Sequence, residues 1–293
     1  MEIYMNMPSI GIPTDKFNAG TEKNAELYEY YYQMHSNVFL AYRQDISEDI
    51  NTAKLSLRQK RSGFVSPLVS EQIKSSRLDA MDFDYLFDCS STATVEGPAL
   101  TYCLAKNIGL PSIKPIALNG QAGTEFAQCL QFLDSDTLFR NAVCVLNQFV
   151  SLPDTRQVEN GYALADAAVA TLLSNKYIAG FSRFKIVSSV LKQYKHISEA
   201  VVSAIEKAAC HSIDWVIIHN HSESYSTNLL SPLTSRKIHQ RKEYGQANFG
   251  CGDVFVTLDD LCKKQQIAGQ NVLLYMIGRY GTVACIVLEA IIQ

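Results

Sequence analysis

Twice along these 293 residues a buried strand, a helix and a closing pair of apolar strands follow one another in the same order. In the first half, Phe83-Asp84-Tyr85-Leu86-Phe87-Asp88-Cys89 reads as a buried strand, preceded over 68–78 by an amphipathic helix with Leu68, Val69, Ile73 and Leu78 on its apolar face. A helix over 98–108 follows, with Pro98 at a favoured first-turn position and Gly109 beyond its end. Then come a strand over 114–118, a helix over 122–133 with Phe126, Cys129, Leu130 and Leu133 on one face, and strands over 141–150 and 162–173. The second half gives a strand over 214–218 ending at His219, a helix over 254–262 with Val254, Phe255, Leu258, Leu261 and Cys262 buried, and apolar strands over 271–276 and 282–290.

Such alternation predicts an α/β fold with largely parallel sheets sheltered by helices on both faces. Duplication would set the two apolar helices, 122–133 and 254–262, back to back at the centre. The division falls between residues 1–173, of which the first 45 show no clean period, and residues 174–293.

Composition narrows the function classes. With 47% hydrophobic and 19% charged residues the chain is of the globular type, and no window holds the roughly 18 unbroken apolar residues of a membrane span. A net charge of −3 gives no field to draw in nucleic acid or anionic lipid. Eight cysteines without a CxxC pair, most of them within apolar stretches, fit buried thiols in a reducing cytoplasm, and the histidines offer no metal-ligand spacing. No basic region followed by an apolar core opens the sequence, so no secretion signal is expected.

Five motifs, in order, carry a resemblance over roughly residues 80–293. They are Asn119-Gly120-Gln121-Ala122-Gly123 before a helix, the small-residue run Gly161-Tyr162-Ala163-Leu164-Ala165-Asp166-Ala167-Ala168-Val169, and Ile213-Asp214-Trp215-Val216-Ile217-Ile218-His219-Asn220. The loop Gly245-Gln246-Ala247-Asn248-Phe249-Gly250-Cys251-Gly252-Asp253 and the closing Gly278-Arg279-Tyr280-Gly281-Thr282-Val283-Ala284 complete the set. Together they resemble the ketoacyl synthase III branch of the thiolase superfamily. The resemblance implies a thiolase-like α/β fold, two duplicated halves in a five-layered αβαβα arrangement.

Residue by residue, the resemblance maps the family's histidine to His219 and its asparagine to Asn248, or to Gln246 in a two-residue shift. The nucleophilic cysteine maps to Gln121, or to Gly120 in the other register, and neither can be acylated. In the family the thiolate accepts the acyl group at a helix N-terminus, while His and Asn stabilise the enolate left by decarboxylation of a malonyl thioester. Losing the cysteine removes the first half-reaction and leaves the donors of the second. The resemblance thus implies a non-canonical or accessory subunit in acyl-thioester biosynthesis of the fatty acid or polyketide secondary-metabolite type. It is similar in this to the inactive subunit of the alkyl quinolone synthase. The alternatives are an acyltransferase or condensing enzyme with a displaced nucleophile, and a malonyl-thioester decarboxylase using His219 and Asn248.

No bound cofactor is implied; acyl-CoA or the phosphopantetheine thioester of an acyl carrier protein would be the substrate. The implied assembly is a homodimer, or a heterodimer with a cysteine-bearing ketoacyl synthase homologue, with no nucleic acid or membrane partner.

Cys251, before the second central helix, is the candidate displaced nucleophile, weighed against a small buried thiol between two glycines. His221 is a weaker candidate than His219, Cys89 and Cys129 read as core, and Asp166 and Asp253 as braces of turns. The tyrosines at 28 and 30–32 read as packing. Arg58, Lys60 and Arg61 read as a solvated face, or as a basic rim for an acyl carrier protein.

Overall fold

The computed structural model of the chain describes residues 2–12, 47–91, 99–110, 112–119, 123–149, 165–193, 197–208, 212–220, 237–242, 244, 247–278 and 282–292. The first half consists of β1 (Ile3–Asn6), β2 (Ser9–Gly11), α1 (Ser47–Ser76), β3 (Phe83–Ser90), α2 (Ala99–Asn107), β4 (Lys114–Asn119), α3 (Glu125–Ser135), β5 (Asn141–Gln148) and β6 (Ala167–Ser174). The second consists of β7 (Ser182–Gln193), α4 (Ile197–Ala208), β8 (Trp215–Ile218), β9 (Lys237–His239), α5 (Asp253–Lys264), β10 (Asn271–Ile277) and β11 (Thr282–Ala290).

Strands β5 and β6 bury every residue, as strands covered on both faces must. The strand order is β4-β3-β5-β6-β1-β7-β11-β10-β8-β9, with β2 on β6. Read outward from the β1–β7 junction, the two halves match strand for strand. In each, three parallel strands (β4, β3, β5; β9, β8, β10) are followed by two antiparallel ones (β6, β1; β11, β7). The expected largely parallel sheets are therefore corrected to mixed ones. Residues 278–281 alone join β10 to β11, and so short a link allows only an antiparallel pair.

Three apolar layers separate helices from strands. Phe87, Cys89, Cys144 and Leu146 from one half, and Val272, Leu274, Met276 and Ile286 from the other, close on α3 and α5 in the central core. The alternate residues face outward, Leu86, Val143 and Val145 toward α1 and α2, and Leu273, Tyr275 and Cys285 toward α4. The result is the five-layered αβαβα arrangement. Among the described residues no helix is long and apolar enough to cross a membrane.

Helix α1 starts well before the apolar face that reveals it, and carries Pro67 inside. For Arg61, on this helix, the expectation of a solvated or rim-forming residue is corrected. It is fully buried, with its guanidinium 5.4 Å from the Phe149 ring centroid and Nη2 donating to the Phe149 carbonyl at 3.4 Å. The side chains of Arg58 and Lys60, the tyrosines at 28–32, His221 and Gln246 lie outside the described residues.

Candidate functional site

His219 directly follows β8, and its backbone N–H donates to Tyr275 O at 2.9 Å, which fixes the chain end against β10. The imidazole is buried, with Nε2 2.9 Å from Asn248 Oδ1. Oδ1 also accepts the Gly250 N–H at 2.8 Å, so Nε2 is the donor in the His219–Asn248 contact. Nδ1 faces both the carbonyl of Ile277 at 3.0 Å and its N–H at 3.4 Å, and the protonation of the ring decides which it engages. Asn248 Nδ2 has no hydrogen-bond partner among the described residues. The structure thus brings together the histidine and asparagine picked out in the sequence.

The Asn248 backbone is equally fixed. Its carbonyl accepts from Gln148 Nε2 at 2.8 Å and from the Ala165 N–H at 2.9 Å, tying the loop to both β5 and the approach to β6. Gly250 is required beside it: φ is +57°, and a Cβ there would lie 2.0 Å from Ser91 Oγ.

The N-terminus of α3 reaches the same place. Gly123, at φ +148°, is so close that a Cβ would lie 2.3 Å from Ile277 O and 2.7 Å from His219 Cε1. Gln121 itself, with Gly120, lies outside the described residues. Within the first turn, Glu125 is fully buried and its Oε2 accepts the Gly123 N–H at 2.8 Å. One N–H at the helix N-terminus is thus taken by a side chain of the helix itself. Sequence reading passed over Glu125, since an acidic residue in a first turn is ordinary and only its burial marks it.

Cys251 is the residue that the structure turns away from the role of displaced nucleophile. It is fully enclosed, its Sγ donating to Cys89 O at 3.2 Å and lying 3.5 Å from Asn147 O. Burial first, then the charge of Glu125, push its thiol well above the ordinary value. A nucleophile needs thiolate and access, and Cys251 has neither. Cys89, Cys129 and Cys144 are likewise enclosed, with Cys89 and Cys144 sulfurs 3.9 Å apart. Among the described residues no cluster of histidine, cysteine or acidic side chains could hold a metal ion.

Asp253, read as a brace, is one. It is completely buried and pairs with Arg241 at 2.8 Å, a residue the sequence reading did not single out. Asp166 is buried just before β6.

No protein-family model and no curated protein sequence matches this chain. Solved structures do. The chain is similar to the ChlB3 acyltransferase (TM-score 0.70, 13% identity, 99% of this chain and 98% of that one). It is also similar to AbyA1, a tetronic acid condensing enzyme (TM-score 0.68, 14% identity, 98% and 100%). A third is 3-oxoacyl-(acyl-carrier-protein) synthase III from Aquifex aeolicus VF5 (TM-score 0.67, 11% identity, 98% and 99%). With its duplicated halves, its paired central helices and this likeness along nearly the whole chain, the protein has the thiolase-like fold of the ketoacyl synthase III type.

Proposed function

We propose that this chain is a ketoacyl synthase III-like protein that has lost the acyl-accepting nucleophile and works as an accessory subunit in acyl-thioester biosynthesis of the fatty acid or polyketide type. One observation carries the reading: the Glu125 carboxylate takes the Gly123 N–H at the start of α3. That N–H, engaged by the Glu125 side chain, is not free to stabilise a thiolate on this helix turn. Gln121, two residues before Gly123, supplies no thiol in any case.

The partner in this reading is a cysteine-bearing homologue, with a homodimer as the other assembly. Strand β4 ends the sheet order and pairs only with β3 among the described strands, so its other edge can take a strand from a second chain. Acyl-CoA or an acyl carrier protein would deliver the thioester to the working subunit. The test is intact-mass analysis after incubation with a panel of acyl thioesters, alone and with the homologue. No adduct on this chain, and a stable heterodimer, are expected; a stoichiometric adduct here would overturn the proposal.

A second reading is favoured by the His219–Asn248 pair. In malonyl-thioester decarboxylation the bond from C2 to the carboxylate breaks, carbon dioxide leaves, and the electron pair becomes an enolate. His219 Nε2–H and Asn248 Nδ2–H would donate to its oxygen, after which C2 takes a proton to give the acetyl thioester. His219 would turn its donor from Asn248 Oδ1 to the substrate. Carbon dioxide release from malonyl-CoA that survives His219→Ala removes this reading.

A further inference from the structure

We infer that Arg241 and Asp253 form a buried positioning pair that holds His219 and Asn248 in register. The inference rests on the His219–Asn248 pair being the working centre, as the decarboxylase reading has it. Asp253 opens α5, and each of its carboxylate oxygens takes a backbone N–H from the residue after a candidate group. Oδ2 accepts from Asn220 at 2.8 Å, one residue past His219, and Oδ1 accepts from Phe249 at 3.1 Å, one residue past Asn248. One side chain therefore sets the end of β8 and the asparagine loop relative to each other.

Arg241 completes the clamp from the other side. Its Nη2 donates to Asp253 Oδ1 at 2.8 Å and to the carbonyl of Ala247, the residue before Asn248. Nη1 donates to Asp253 O at 3.1 Å and to Thr257 Oγ1 at 2.8 Å, which anchors the guanidinium to the first turn of α5. Its Cζ lies 4.9 Å from the Phe249 ring centroid. Asn248 is thus held on both flanks by one ion pair whose side chains are 1% and 0% exposed. Lysine could supply the charge but not the fork that reaches Ala247, Asp253 and Thr257 at once.

The experiment uses the full chain labelled with ¹⁵N-histidine, the His219 ring nitrogens being assigned by their loss in His219→Gln. Asp253→Asn preserves shape but puts an amide where one N–H must find an acceptor, and Arg241→Lys removes the fork. Both are expected to move the His219 ring-nitrogen signals. Where wild-type protein decarboxylates malonyl-CoA, both should lower kcat tenfold or more with KM within twofold. Folded variants with unmoved His219 signals overturn the inference. Should a variant not fold, Thr257→Ala, which removes one bond from Arg241 and leaves the pair, is judged by the same signals. Because the ring signals need no turnover, an inactive wild type would count against the decarboxylase reading and leave the positioning pair to be decided by the spectra.

Discussion

Phe126 of α3 and Phe255 of α5 meet edge to face, with ring centroids 4.8 Å apart and planes at 80°. They stand in the first turns of the two central helices, and both are fully buried. Truncating either to alanine should cost about 3–5 kcal/mol by loss of buried surface and cavity formation. A double-mutant cycle in chemical denaturation should give about 0.5–1.5 kcal/mol of coupling for the aromatic contact itself.

Gly123 leaves no room for a side chain. Gly123→Ala would bring a methyl group to 2.3 Å from Ile277 O and 2.7 Å from His219 Cε1, at a backbone angle that L-residues avoid. We expect a loss of about 2–4 kcal/mol in stability from the clash and the strain together. Urea denaturation measures the loss, and ¹⁵N-histidine spectra should show His219 displaced.

Asp88 gives stability a pH dependence. It is fully buried among Asn147 Nδ2 at 2.6 Å and Thr101 Oγ1 at 3.3 Å, with Arg61 nearby, and burial raises its pKa to about 6. The folded state therefore holds this proton more tightly than the unfolded chain. The stabilisation is complete below about pH 4, falls as pH rises through about 6, and amounts to about 3 kcal/mol at most. Asp88→Asn should accordingly gain on wild type in melting temperature between pH 5 and pH 8. An unchanged gap across that range would show that Asp88 does not titrate there.

The enclosed thiols should resist alkylation. Cys89, Cys129, Cys144 and Cys251 are all 0% exposed, and burial raises each thiol above its ordinary value. Iodoacetamide at pH 8 is expected to leave these four untouched in the native protein and to modify all eight cysteines once the chain is unfolded. Rapid native labelling of Cys251 would contradict its placement.

The elements legible in the sequence are those whose burial is written in local pattern. Strands β5, β10 and β11 carry near-continuous apolar runs, β3 carries Phe83, Tyr85, Leu86, Phe87 and Cys89, and α3 and α5 repeat apolar residues at helical spacing. Strand β7 went unread because two of its buried positions are Ser182 and Ser188, which break the apolar alternation supplied by Phe184, Ile186 and Val190. Strand β1 is too short to show a period. His219 and Asn248 could be placed from motif order, whereas Arg241 and Asp253 could not be paired. Two charged residues twelve positions apart are ordinarily solvated, and only the folded chain reveals that both are buried against each other.

Strand β1 belongs to both halves at once: Tyr4 and Met5 pair with Ser174 and Leu173 of β6, while residues Ile3 to Asn6 run along β7 opposite Ile186 to Ser182. During translation this strand is made long before either neighbour. Its partners on β6 are complete only once synthesis has passed Ser174, and those on β7 only once it has passed Ile186, so one edge of this strand stays open until then. Of these three strands the first to be made is the last to have both edges covered, which makes it the seam between the two halves.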